Sequence, residues 1–218
     1  MNSRQLAALP VISVIWGASF LFIRVLVTAG IEPTGVSGAR YALGAVSLLP
    51  FAYALRSKFP RDRRTWALMA GLGILNFALP WTLFSIGQRH VPSGVGSIAN
   101  SAQPLWAAIF SVALIKGDAL GRTKSFGLLL GFAGVVVLMP GRIRGLDSES
   151  LQGIPPMILA TVLYGISAVS IRKWLRHVPA VQLTFVQIGV AGCLLLPIAL
   201  ATGAYDNASM GWHGGRVC

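Results

Sequence analysis

The sequence has very few acidic residues: 6 Asp and Glu among 218 residues, against 18 Lys and Arg, which gives a net charge of +12. Charged residues of both signs make up only 11% of the chain, hydrophobic residues make up 55%, and the mean hydropathy is +0.71. A soluble domain of this length needs a larger charged surface. The composition therefore excludes a soluble globular protein and predicts an all-α membrane protein.

The excess of basic residues does not indicate a nucleic-acid-binding protein. Such a protein carries its Lys and Arg on one face, where they contact phosphates. Here they lie between apolar segments, and in a membrane protein that placement reports topology. We therefore expect the lipid bilayer as a partner and expect no nucleic acid.

Cysteine and histidine are also scarce. Cys193 and Cys218 are too few for a disulfide framework or a metal site, and the three histidines are scattered without a His-Glu-x-x-His motif. No Walker loop is present, and the segments 17–20 and 165–168 lack the last glycine of a Gly-x-Ser-x-Gly elbow. We predict no cofactor, no metal and no enzyme, with an intramembrane enzyme as the less favoured alternative.

Seven apolar segments are each close to the roughly 20 residues that cross a bilayer as a helix. They are residues 6–27, 36–55, 66–87, 94–115, 123–140, 154–171 and 181–201. The first continues beyond the length of a signal-peptide core, so we interpret it as an uncleaved helix. Pro80 predicts a kink in the third segment, and Pro104 predicts a backbone break in the fourth.

Two stretches of the chain recur at nearly the same offset. Residues 16–24 return as residues 164–172, with Gly, Ser, Ile and Arg at identical spacing behind a leading aromatic residue. Residues 47–50 return as residues 194–197 with one residue of slip. Together the two repeats predict duplication of one unit of about 145 residues.

The duplication predicts three regions. Residues 1–142 form a complete five-helix unit, residues 153–203 form the first two helices of a second unit, and residues 204–218 form a tail that does not span the membrane. Because five helices separate the copies, an odd number, the second unit is expected to be inverted. We expect the chain to be a truncated reading of a longer protein, with an evolved shortening as the alternative. We further expect poor transport unless the chain forms a homo-oligomer or meets a complementary fragment.

The loops differ in charge from one side of the membrane to the other. With the amino terminus included, twelve basic residues fall on one side and five on the other, and Arg40 lies inside the second segment. Since cytoplasmic loops carry the excess of Lys and Arg, the amino terminus is predicted to be cytoplasmic. Residues 56–64 and 172–177 are then cytoplasmic, and residues 141–150 are external.

Several short motifs occur in the order found in one known family. They are Trp16-Gly17-x-Ser19, Ala39-Arg40-Tyr41, Ser101-x-x-Pro104-Leu105 and a glycine pattern at residues 127, 131 and 134. On these motifs the chain resembles an EamA-type member of the drug/metabolite transporter superfamily over roughly residues 10–200. It differs from that pattern at Gly117-Asp118, where relatives usually have Gly-Glu, and in ending before an eighth helix.

The resemblance implies a secondary transporter with two inverted five-helix halves. The implied function is export of amino acids or related small polar metabolites across a bacterial inner membrane by alternating access. A truncated fragment or assembly partner that does not transport is the main alternative.

Polar and aromatic side chains at mid-depth are the candidates for substrate binding, because polar groups in hydrocarbon are costly unless they face a partner or a wet cavity. The alternative for each is interhelical hydrogen bonding, worth about 0.6 kcal/mol per contact. Asn100 and Gln103 are three residues apart, so they are expected to share a helix face. The predicted substrate-binding residues are Trp16, Arg40, Asn76, Trp81, Asn100, Gln103 and Tyr164.

Arg40 has two interpretations. An arginine at a helix centre costs roughly 2.5–3.5 kcal/mol on insertion scales. The predicted start of the second helix places Arg40 only one turn from the interface, where it could snorkel; alternatively, it binds a substrate carboxylate. Arg24 is interpreted as an interfacial anchor, and the glycines at 127, 131 and 134 as a helix-packing face.

Overall fold

The structure is a computed structural model that describes residues 3–54, 59–115, 117–118, 121–143 and 147–208. Throughout these ranges the regular elements are helical. They are α1 (Ser3–Thr28), α2 (Pro33–Ala54), α3 (Arg63–Gly73), a π-helical turn (Ile74–Ala78), α4 (Leu79–Gly87), α5 (Ser93–Asn100), α6 (Gln103–Leu114), α7 (Arg122–Ile143), α8 (Ser148–Leu151), α9 (Ile154–Trp174) and α10 (Ala180–Ala201).

Four helical stretches within the described ranges are long and apolar enough to cross a membrane. They are Leu9–Thr28, Arg63–Gly87, Ile154–Trp174 and Ala180–Ala201. A shorter apolar helix covers Ser125–Leu138. The all-α membrane class predicted from composition is confirmed, whereas the count of seven spans and the repeat organisation stay predictions.

The third predicted segment is one helical stretch with a π-helical turn in its middle. It begins at Asp62, whose carboxylate accepts the backbone N–H of Thr65 at 2.8 Å. Hydrogen bonding by the Thr65 side chain and by its backbone N–H lowers the pKa of the Asp62 carboxyl, because both stabilise the charged form. The turn Ile74–Ala78 directly precedes α4, and Pro80 lies in the first turn of α4. A proline lacks the N–H that a regular helix would use here, and the wider turn allows the chain to continue.

The fourth predicted segment consists of two helices separated by a turn. α5 ends at Asn100, residues 101–102 form a turn, and α6 begins at Gln103. Pro104 has no N–H to donate to the carbonyl four residues earlier, so the break expected there is confirmed. The Ser101 hydroxyl donates to the carbonyl of Ile98 at 2.6 Å within the turn. Asn100 and Gln103 therefore belong to different helices and do not share a helix face.

α2 and α10 pack closely along their lengths. A Cβ on Gly38 would lie 3.0 Å from the backbone of Leu195, and one on Gly192 would lie 2.9 Å from the backbone nitrogen of Ala42. The start of α2 thus meets the end of α10, and the middle of α2 meets the middle of α10. The two helices are antiparallel, and their glycines permit the close approach of the two backbones.

α9 packs against α4, α5 and α6. A Cβ on Gly87 would lie 2.5 Å from the carbonyl oxygen of Gly153, and one on Gly165 would lie 2.5 Å from the Cβ of Trp106. Of the three glycines in α7, Gly131 faces a described neighbour, the side chain of Leu105 at 3.7 Å, whereas Gly127 and Gly134 have no described atom within 4 Å. The predicted packing face of α7 is therefore formed only in part.

Polar contacts join the elements at each end of the bundle. At one end, the Arg24 guanidinium donates to the carbonyls of Gln88 and Arg89, and Arg89 pairs with Glu32 at 2.5 Å. At the other end, Arg172 pairs with Asp118 at 2.6 Å. Arg24 thus holds the end of α4 against α1. The interfacial anchoring expected of Arg24 from the sequence stays a prediction.

The chain after α10 folds back onto the α1–α2 connection. The backbone N–H of Glu32 donates to the carbonyl of Ala204 at 2.9 Å, and the Tyr205 hydroxyl donates to the carbonyl of Gly35 at 2.9 Å. Residues 202–207 form turns. The rest of the predicted non-spanning tail, residues 209–218, lies outside the described residues, as do parts of the predicted loops at 56–64 and 141–150.

Candidate functional site: an aromatic cluster around Arg40

Two helices contribute aromatic side chains to one cluster. On α1, Trp16 and Phe20 are four residues apart and therefore lie on one face. On α4, Trp81 and Phe84 are three residues apart and lie on one face in the same way. The π-helical turn before α4 sets the rotation of this last part of the third segment, and so it sets the direction in which Trp81 and Phe84 point.

The rings contact one another in the usual range for aromatic pairs. Trp81 lies 6.4 Å from Trp16 and 5.9 Å from Phe20, measured between ring centroids. Phe84 lies 5.4 Å from Phe20, edge to face, and 6.4 Å from Tyr164 of α9. Trp81 is 4% exposed, whereas Trp16 is 48% exposed, so the cluster runs from the core to an open side of α1.

Arg40 lies over the Trp81 ring. Its Cζ is 4.1 Å from the ring centroid, which is the geometry of a cation–π contact. Within the described residues no carboxylate or carbonyl accepts a hydrogen bond from Arg40. Its guanidinium is therefore held by an aromatic face, while its N–H donors remain available.

Arg40 lies further from the start of its helix than the sequence predicts. α2 begins at Pro33, before the predicted start at Val36, so Arg40 lies seven residues into the helix, or about 10 Å along its axis. Its side chain is exposed. The snorkelling and substrate-binding interpretations both stay predictions.

Two tyrosines that pack against the cluster have buried hydroxyls. Tyr41 is 2% exposed and Tyr164 is 5% exposed, and neither hydroxyl has a hydrogen-bond partner of good geometry among the described residues. The Tyr41 ring lies 5.6 Å from Phe77, and the Tyr164 ring lies 6.4 Å from Phe84, measured between ring centroids.

Two cavities border the cluster on either side of α1. One, of about 270 Å³, lies between α1 and α2 and is lined by Arg40, Ser19, Gly35, Tyr205 and apolar side chains. The other, of about 490 Å³, lies between α1 and α5 and includes Asn100 together with Trp16, Phe20 and serines 13, 97 and 101. A third cavity, of about 230 Å³, is lined by Trp106, Thr161 and apolar residues, and it lacks charged groups that could orient a polar ligand.

The predicted site residues separate into three groups. Trp16, Arg40, Trp81 and Tyr164 come together in the cluster, and Asn100 lines the neighbouring cavity beside Trp16. Asn76 lies elsewhere: its side-chain amide donates to Oε1 of Gln187 at 3.3 Å, between the π-helical turn and α10. Gln103 is half-buried at the start of α6 and lines none of these three cavities.

Three members of the cluster were missed by sequence reasoning. Phe20 and Phe84 are marked by their spacing of four and three residues from Trp16 and Trp81. That signal is weak in a chain in which apolar residues predominate. Tyr41 follows Arg40 directly, and neighbours in a helix point about 100° apart, so sequence proximity alone does not place them in one site.

The sequence profile of the EamA-like transporter family matches residues 6–139, which is more than half of the chain. An uncharacterized transporter of Archaeoglobus fulgidus is 24% identical over 204 residues, covering 93% of this chain and 69% of its own length. The uncharacterized transporter YvbV of Bacillus subtilis is 26% identical, covering 89% of this chain and 62% of its own length.

A third relative, the uncharacterized transporter YdfC of Bacillus subtilis, is 30% identical over 67% of this chain and 46% of its own length. The chain thus spans between about half and about two thirds of these relatives. No solved structure matches it significantly. On the family match, with the all-helical apolar architecture, the chain belongs to the EamA-like transporter family.

Proposed function

We propose that the chain is a secondary transporter that exports amino acids or related small polar metabolites across a bacterial inner membrane, with its substrate bound at the cluster around Arg40. The observation that carries this proposal is the placement of Arg40 over Trp81, 4.1 Å from the ring centroid, two turns inside α2. In a segment that is predicted to span the membrane a charge is costly, and such residues usually mark substrate or ion pathways.

Alternating access is the proposed mechanism. It requires two structural halves that rock against each other around a shared site near mid-depth. The antiparallel contact of α2 with α10 supports such halves, because these helices are the second elements of the two proposed units, residues 1–142 and 153–203. The cluster supports a shared site, since it takes side chains from α1, α2 and α4 of the first unit and Tyr164 of α9 from the second.

The contacts of the other three predicted site residues support a substrate-binding role to different degrees. Asn100 lines the cavity next to Trp16, which supports a place for it along the substrate path. Asn76 has a protein partner, so interhelical hydrogen bonding is the better supported role for its amide. For Gln103 the described contacts favour neither role.

The test is transport by everted membrane vesicles from cells that express the 218-residue chain. A panel of radiolabelled amino acids and small organic acids is offered, and accumulation is compared with vesicles that lack the chain. We expect accumulation of at least one substrate that is abolished by Arg40→Gln and retained in Arg64→Gln, a matched loss of an exposed arginine outside the cluster.

Failure of the whole panel, in native-like vesicles with the chain inserted at normal abundance, would contradict transport by this chain. Covalent crosslinking in the same vesicles shows whether the transporting species is a monomer or the homo-oligomer that we propose as an alternative form.

A further inference from the structure

We infer that Gln88 and Arg24 are positioning residues for the substrate cluster: their hydrogen bonds fix the register of α1 against α4, and with it the place of Trp16 and Phe20 beside Trp81. This inference rests on the proposed binding of substrate at the cluster. It deepens that proposal by naming two residues that set the geometry of the site without touching the substrate.

The first step is the alignment of α1 with α4. Three pairs of residues, about one turn apart along each helix, lie side by side: Trp16 with Trp81, Phe20 with Phe84, and Arg24 with Gln88. The residue numbers rise together, so the two helices run parallel. Two aromatic pairs are thus followed, near the end of both helices, by one polar pair.

The second step is the bonding of the polar pair, which runs in both directions. The side-chain amide of Gln88 donates to the carbonyl of Phe20 in α1 at 2.9 Å. In return the Arg24 guanidinium donates to the backbone carbonyl of Gln88 and to that of Arg89, the latter at 2.8 Å. Gln88 is fully buried, and a Cβ on Gly96 would lie 3.2 Å from its Nε2, so α5 covers the bond to Phe20.

The third step is that these hydrogen bonds define the register more narrowly than the rings do. Aromatic pairs are favourable in several orientations over about 4.5–7 Å, and the pairs between α1 and α4 include stacked, tilted and edge-to-face arrangements. A small sliding or rotation of α1 would keep ring contacts of this kind. It would break the bond from Gln88 to the Phe20 carbonyl, because hydrogen bonds tolerate little change in distance and angle.

The fourth step is the cost of keeping Gln88. Its Oε1 is buried and has no hydrogen-bond partner among the described residues. An apolar group of similar shape in place of such a residue is often neutral or stabilising. A buried amide that lowers stability but fixes alignment has a precedent in coiled coils, where one buried asparagine selects the register. Gln88 therefore fits a role in alignment better than a role in stability.

The test is fluorine NMR of the full chain in detergent micelles, with its six tryptophans replaced by 5-fluorotryptophan. Trp16→Phe and Trp81→Phe assign the two signals of the cluster. In Gln88→Met, which roughly keeps the volume and removes the donor, we expect both signals to shift or broaden. Trp81 lies seven residues from Gln88, or about 10 Å along α4, so its signal reports a movement of α1 and not a direct contact with the new side chain.

Unfolding temperatures separate alignment from stability. Gln88→Met should unfold at an equal or higher temperature, because the unpaired Oε1 is gone. Arg24→Met breaks the polar pair from the side of α1 and should move the same two signals, so it carries the test if Gln88→Met does not fold. Gln182→Met is the matched control: it replaces a fully buried glutamine of α10 outside the cluster and should leave both signals in place.

The functional readout is transport in proteoliposomes with a substrate identified in the vesicle panel. Gln88→Met should raise the half-saturating concentration at least about threefold and leave the maximal rate unchanged, because a site that is less well pre-organised binds more weakly.

Unchanged Trp16 and Trp81 signals in Gln88→Met would overturn the inference. So would a lower unfolding temperature with all tryptophan signals altered, or loss of the fold in both methionine variants, since either outcome makes the role purely structural. Failure of the proposed function is separable from these results. Shifted signals in a chain that transports nothing contradict transport and leave the alignment role, whereas shifted signals with unchanged half-saturation contradict substrate binding at the cluster.

Discussion

Asn76 shows how one polar residue in a membrane helix takes its role from its partner. An unpaired amide in the hydrocarbon region is costly, so Asn76 needs either a protein partner or a ligand. In the structure its amide donates to Gln187 Oε1 at 3.3 Å, and a Cβ on nearby Gly73 would touch the backbone of Gln187. The contact therefore favours a role in holding the third helical segment against α10.

Asn76→Leu should consequently lower stability. The substitution leaves the buried side chain of Gln187 with one fewer partner, and we expect a loss of about 0.6 to 1 kcal/mol. Thermal unfolding in detergent measures it. Asn76→Leu combined with Gln187→Leu should lose less than the sum of the two single variants, because no amide is left unpaired. A stable Asn76→Leu protein that no longer transports would return Asn76 to the substrate path.

Among single residues, the sequence identifies Arg40 more surely than Tyr41. An arginine inside an apolar segment stands out by its cost, and no knowledge of its neighbours is needed. The significance of Tyr41 depends on burial against helices that come more than 100 residues later, such as α9 and α10. Such burial is a property of packing, so periodicity along one helix does not reveal it.

At the scale of the helix, Gly17 and Gly165 occupy equivalent places in the two copies of the repeated motif but have different surroundings. A Cβ on Gly165 would lie 2.5 Å from the Cβ of Trp106 and 2.9 Å from the backbone of Ala107. A Cβ on Gly17 would meet no described atom within 4 Å. The same motif therefore closes a helix contact in α9 and borders a cavity in α1.

Gly165→Ala should destabilise the protein by about 1–3 kcal/mol, because the added methyl group forces α6 and α9 apart. Gly17→Ala is the matched control and should be neutral or slightly stabilising, since alanine has the higher helix propensity. Unfolding temperatures of the two variants in one detergent give the comparison. Equal effects of the two substitutions would show that the tight α6–α9 contact is absent.

The fourth predicted segment shows the limit of reading helices from hydropathy. The apolar run is long enough for one span, and Pro104 correctly predicts a break. Helix periodicity placed Asn100 and Gln103 on one face. They do not share a face, because the two-residue turn between α5 and α6 changes the direction of the helix that begins at Gln103. At Pro80 the chain does not leave the helix: the π-helical turn Ile74–Ala78 precedes it, and the helical stretch continues through α4.

At the scale of the molecule, the polar contacts between the segments that connect the helices lie at two opposite ends of the bundle. Glu32, Arg89 and Ala204 meet at one end, whereas Asp118 and Arg172 meet at the other. The excess of Lys and Arg in the loops of the second end predicts that this end is cytoplasmic.

Cysteines introduced one at a time test this orientation. In a chain carrying Cys193→Ser and Cys218→Ser, Asp206→Cys should react with an impermeant maleimide in intact cells, and Arg61→Cys should react only after the membrane is opened. Both positions are exposed in the structure and lie at opposite ends of the bundle. The reverse labelling pattern would invert the predicted topology, and labelling of both in intact cells would contradict the separation of the ends.

The fold class followed from composition because 55% hydrophobic residues with 11% charge leave few alternatives to a membrane bundle. The repeat pointed to α1 and α9 as related helices, and both contribute aromatic residues to the cluster. The sequence placed Trp16, Trp81 and Tyr164 at comparable depth, but it did not predict their contacts with one another, with Phe84 or with Arg40. These contacts depend on helix rotations set by the π-helical turn and by close glycine contacts, neither of which has a distinctive sequence pattern.

The most direct test of the site is the concentration dependence of transport by Arg40→Lys in proteoliposomes, with a substrate identified in the vesicle panel. Lysine keeps the charge and the length but lacks the planar fork and stacks less well on Trp81. We predict a half-saturating concentration raised at least about tenfold, with an unchanged unfolding temperature. Half-saturation equal to that of the unaltered chain would contradict substrate binding by Arg40.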